Sequence, residues 1–62
     1  MDEQEKSLVI NKKSKSLHRH ERIVERLHNK ESLTEFDRKK LSREKYMVRK
    51  IRKAIFEIEN LI

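Results

Sequence analysis

The chain has 62 residues, 45% charged and 34% hydrophobic, with a net charge of +6 and no Gly, Pro or Cys. So short a chain makes at most one small domain with a marginal core, without disulfide staples or thiolate metal ligands. Lacking Gly and Pro, it has no cheap tight turns, so long exposed helices with narrow buried seams are expected and a closed enzyme core is out of reach.

Residues 1–6 (Met1 to Lys6) are polar and charged and are expected to form a disordered tail. Residues 7–62 are expected to form a single helical hairpin. Leu8, Val9 and Ile10 are the longest apolar run, far short of the roughly 18 residues of a membrane span and too short for a signal-peptide core. The chain therefore reads as soluble and cytoplasmic, with no membrane partner. Asn11 to Ser16 has poor helix propensity and no apolar residue, and Ser14 and Ser16 both suit an N-cap. This stretch is either a linker or an exposed turn of helix.

From Leu17 the helical spacing is clear: Leu17, His20, Val24 and Leu27 follow at 3-4-3, with Ile23 alongside. Seven residues back from Leu17, the same register lands on Ile10. The first helix is thus predicted to start at residue 7 or at residue 17, and to end near residue 30. Asn29 tolerates a left-handed backbone and suits a helix end. The turn is expected over 31–33. Thr34 to Asp37 matches the capping-box pattern, and Ser32 to Glu35 matches it as well.

The second helix, predicted over 34–61, carries the strongest pattern in the chain. Leu41, Glu44, Val48, Ile51, Ile55, Ile58 and Ile62 follow at alternating steps of three and four, the seam of a coiled coil. Folding the chain about residue 33 brings Leu27 and Val24 towards Leu41, Leu17 towards Val48 and Ile51, and Ile10 towards Ile55 and Ile58. Every apolar cluster of the first half finds one in the second, so the fold class is all-α, an antiparallel two-helix hairpin with a coiled-coil-like seam. Phe36, Met47, Ala54 and Leu61 lie beside the main register. If the first helix starts only at Leu17, the end from Ile55 to Ile62 is left uncovered. Because the second helix carries more apolar surface than one seam requires, two hairpins are expected to pair into a four-helix bundle.

Few residues suggest chemistry. His18 and His20 are two apart and point to different sides of a helix, so neither they nor His28 are expected to bind metal. His20 beside the seam would make the packing sensitive to pH in the neutral range. No nucleophile–base arrangement or phosphate-cradling loop is present, so no enzyme activity, cofactor or small-molecule ligand is expected. Glu44, the single acid in the seam, either sets the register from a buried position or reaches towards an Arg or Lys of the partner helix.

Between Arg38 and Lys53 lie nine basic residues and one acid, Glu44. Arg38, Lys39, Arg43, Arg49, Lys50, Arg52 and Lys53 are the candidates for contact with a polyanion, joined by Lys40 and Lys45. Weak, salt-sensitive binding to nucleic acid follows from such a belt. Tyr46 is its lone aromatic, too little for base stacking, and no reader motif is present. Glu57 and Glu59 sit near the second helix's C-terminus, where its dipole disfavours them unless a basic group meets that end.

The run from His18 to Leu27, the restart at Leu33 and Thr34, and then Leu41-Ser42-Arg43-Glu44-Lys45-Tyr46-Met47-Val48-Arg49 resembles the YdcH-like family of small bacterial proteins. Glu44, Lys45, Val48 and Arg49 match that family's second-helix pattern in kind; Tyr46 replaces a Leu, Lys50 replaces an acid, and Ile51 is one position out of step. The resemblance covers residues 17–52 and implies an antiparallel hairpin without naming an activity. The expected role is a helical interaction module binding another copy or a helical protein partner, with a small basic nucleic-acid-associated factor as the alternative.

Overall fold

In a computed structural model, residues 2–61 are described, and among them the chain forms two helices and no strand. Helix α1 spans Glu3–His28 and helix α2 spans Glu35–Glu59. They lie side by side as an antiparallel hairpin measuring 46 × 14 × 13 Å. The predicted fold class is the observed one.

Helix α1 begins four residues before the earlier of the two predicted starts, and no break occurs between Asn11 and Ser16. Asp2 is the N-cap, its Oδ1 accepting from the Glu5 N–H at 2.8 Å, with Glu3 and Glu5 in the first turn to suit the dipole. Residues 3–6 of the expected tail are therefore helical. The weak stretch has no Gly or Pro to stop propagation, and it lies between seam residues Ile10 and Leu17 that hold both its ends.

The two helices have 26 and 25 residues, so α1 runs the full length of α2. The start at Leu17 is thus excluded, and with it the uncovered Ile55 end that it implied. Ile55 and Ile58 are half-buried by their own chain, while Ile62 lies outside the described residues.

The connection turns without any positive φ, so Asn29 ends α1 in a right-handed conformation rather than a left-handed one. Its N–H donates to the Glu25 carbonyl at 3.1 Å, and the Lys30 N–H donates to the Leu27 carbonyl at 3.3 Å. Thr34, not Ser32, caps α2. The Asp37 N–H donates to Thr34 Oγ1 at 3.1 Å, and the Thr34 N–H donates to Asp37 Oδ2 at 3.2 Å, closing a capping box.

The seam holds the only buried apolar residues among the described ones, Leu27 at 5% exposure and Val48 at 9%. Leu17, Val24, Leu41, Ile51, Ile55 and Ile58 are half-buried. Two helices can shield each other's stripe from one side only, which is why so much of the seam stays partly open.

Candidate interaction surface

Three polar pairs fix how the helices face each other. Lys30 Nζ donates to Asp37 Oδ2 at 3.1 Å beside the turn, and His20 Nδ1 donates to Glu44 Oε2 midway along. At the far end Lys6 Nζ donates to the carbonyl oxygens of Glu59 and Leu61, each at 3.1 Å. All three have their midpoints near residue 33, so the register expected from the sequence is the one adopted. Lys6 also supplies the basic group that Glu57 and Glu59 lacked in the sequence, since it meets the negative end of α2. Glu44 finds a histidine, not the Arg or Lys expected, because His20 stands level with it.

In heptad terms the seam of α2 occupies a and d, with Leu41, Val48 and Ile55 at a. In α1, Ile10, Leu17 and Val24 stand at a, and Lys6, Lys13, His20 and Leu27 at d. In an antiparallel pair the e positions line one edge of the seam and the g positions the other. The two edges differ in kind.

The e edge is ionic. Arg52 Nη2 donates to Glu21 Oε2 at 2.9 Å. A shallow groove there runs over Val24 and Val48, walled by Glu21, Glu25, Lys45 and Arg52. The g edge carries Val9, Ser16 and Ile23 from α1, and Met47, Ala54 and Leu61 from α2. All but Leu61 are half-buried, and Leu61 is exposed. No ion pair crosses this edge among the described residues. Ile23 sits in a shallow depression among Lys15, Arg19, Arg22 and Arg26, and Ala54 in one bordered by Lys50 and Lys53.

Every member of the basic belt is exposed: Arg38, Lys39, Lys40, Arg43, Lys45, Arg49, Lys50, Arg52 and Lys53. They are not gathered into one site. Arg52 is engaged by Glu21, Lys39 lies 3.8 Å from Glu35, and Lys50 stands over the Tyr46 ring at 6.0 Å. Phe36, Tyr46 and Phe56 are exposed away from the seam.

The Asp37 carboxyl is held below the usual aspartate range. The backbone N–H of Thr34 is the main cause, followed by Lys30. Among the described residues, no group of three or more His, Asp or Glu side chains gathers as metal ligands would, and no helix is long and apolar enough to cross a membrane.

The g edge has a signal in the sequence that a seam-centred pattern does not isolate. Apolar doublets fall at Val9-Ile10, Ile23-Val24, Met47-Val48 and Ala54-Ile55, with gaps of seven or fourteen residues between those on one helix. The first member of each doublet is g and the second is a. Lys6 and Glu21 carry no such signal, because their partners come from the other helix. No family model, curated protein or solved structure matches the chain.

Proposed function

We propose that the hairpin is a non-enzymatic helical interaction module. It docks a further helix, from a second copy or from a protein partner, along its g edge. The observation that supports this reading is the asymmetry of the two edges. One is bridged by Glu21 and Arg52 and its shallow groove is walled by charged side chains, and the other leaves Ile23, Met47 and Ala54 half-covered with no ion pair, among the described residues, between the two helices' g residues. A third helix laid there would complete a core that two helices leave partly open. The resemblance to the YdcH-like family is compatible with a hairpin scaffold of this kind.

Chemical-shift mapping of the isotope-labelled chain is the test, over a concentration series and with amphipathic helical peptides added. Shifts confined to Val9, Ile23, Met47 and Ala54 are expected in one series or the other. An edge that stays unperturbed in both, up to near-millimolar concentration, rejects the proposal.

The second reading, a nucleic-acid-associated factor, draws on the exposure of Arg38, Arg43, Arg49, Lys50 and Lys53. It calls for duplex binding that weakens steeply with salt, with each phosphate contact adding roughly 0.9 to the slope of log K against log salt. Binding already absent at low ionic strength would remove it.

A further inference from the structure

Resting on the helix-docking reading, we infer that the occupant of the g edge is an amphipathic helix with acidic flanks, not a second copy of this chain. The charge beside the edge carries the inference. Position c lies just outside g on each helix, and the c rows carry Lys12, Arg19 and Arg26 on α1 and Arg43 and Lys50 on α2, with Phe36 beside the turn, all exposed. Acids enter these rows only at the terminal end, as Glu5 and Glu57.

At the turn end Lys40 occupies a g position itself and is exposed, while Lys30, past the end of α1, is paired with Asp37. A helix seated on Ile23, Met47 and Ala54 is therefore held between two basic rows. Acidic residues on either side of its apolar stripe would meet them, as complementary charge across an interface requires.

A second copy brings the opposite. Edge against edge, its own basic rows would face these, and each chain carries a net charge of +6. Only Glu5 and Glu57, at the terminal end, could offset five basic residues in these rows, and the other acids lie elsewhere. Glu21 and Glu25 wall the far groove, and Glu44 is spent on His20. From Val9 to the end of α1 at His28 the edge is roughly 29 Å long, just under three heptads of a partner helix.

The test titrates the full chain into labelled synthetic peptides of three heptads with Leu at a and d. One carries Glu at e and g, its twin carries Lys there, and a third keeps the Glu but replaces Leu with Ser. Fluorescence anisotropy reads the binding at low and near-physiological salt. The Glu–Leu peptide is expected to bind at least tenfold tighter than either control. Ile23→Gln and Met47→Gln should each weaken it at least tenfold with unchanged circular dichroism, while Phe56→Gln, off the edge, should not. The double reversal Arg19→Glu with Lys50→Glu should transfer the preference to the Lys peptide, which a merely unfolded variant could not do.

Equal binding of the Lys peptide overturns the acidic partner, and so does a light-scattering mass showing the edge taken by a second copy. Both outcomes leave helix docking in place. Equal binding of the Ser peptide reduces the surface to charge alone. Binding to phosphatidylserine vesicles but to no peptide overturns this inference and the docking reading together.

Discussion

His20 and Glu44 meet across the seam from opposite helices, equally far in sequence from Ser32. They are a polar layer inside an otherwise largely aliphatic stripe, with Leu17 and Val24 on one helix and Leu41 and Val48 on the other as neighbours in the register. Sliding one helix by a turn would part the two and leave each half-buried beside aliphatic residues. The pair thus ties the register to a single alignment, a role that one polar layer can perform at some cost in stability.

That coupling is measurable. His20→Leu and Glu44→Leu each leave one polar group without its partner, whereas the double substitution removes the layer. The double variant is expected to be more stable than either single one, with an interaction energy of roughly 0.5–3 kcal/mol in a double-mutant cycle. Strictly additive effects in urea denaturation would show that the pair contributes nothing.

Burial ranks the core substitutions. Leu27 is sequestered and Ile55 only half-buried. Leu27→Ala should therefore cost about 2–3 kcal/mol, and Ile55→Ala on the order of 1 kcal/mol. A small core of this kind supplies only about 3–5 kcal/mol in all, so the Leu27 variant should keep only a narrow margin of stability and melt well below the parent chain. Far-UV circular dichroism checks the order, and equal losses at the two positions would contradict the burial pattern.

The hairpin was legible in the sequence because the seam repeats in both halves and the connection is short. The start of α1 was not, although Asp2 and Glu5 match a capping pattern. What anchors that end is tertiary: Lys6 bonds to carbonyls more than fifty residues away, and no local pattern announces such a contact. The His20–Glu44 pair was hidden for the same reason. Each residue could be placed at the seam, but only the exact register makes them neighbours. The g edge was legible in its doublets and was passed over because a seam-centred reading treats the first member of each as spillover.

Asp37 sets an acid limit on stability. Its folded carboxyl titrates below the free-aspartate value of about 3.9, so the fold favours the ionised form. That contribution is complete above the free value and is lost as pH falls through the folded one. The thermal midpoint should drop on acidification in this range, and Asp37→Asn should lower it at neutral pH while flattening the acid limb. An acid limb unchanged in Asp37→Asn would assign it to other carboxylates.

Lys6→Met should act locally. It removes two hydrogen bonds to the last carbonyls of α2 and a favourable charge at its dipole end, together worth about 0.3–1 kcal/mol. The loss should appear as faster amide exchange over residues 56–61 and in the first turn of α1, with the centre of the hairpin unchanged. Exchange that rises uniformly would mean that the two ends are not separately closed.

Lys13 offers the sharpest test of the register through the weak stretch. It occupies a d position between Ile10 and Leu17 and is half-buried, and a lysine in such a place buries its aliphatic stem at the expense of confining its charge. By the register it stands level with Ile51. Lys13→Leu would exchange that compromise for an aliphatic contact, and partial burial of the new side chain should add about 1 kcal/mol. For a domain of this size the midpoint would rise by roughly 4–8 °C. Lys12→Leu is the control, because its c position faces solvent in the basic row and should give no comparable gain. If Lys12→Leu stabilises the hairpin and Lys13→Leu does not, the seam is not continuous from Ile10 to Leu17, and α1 must be drawn as two helices.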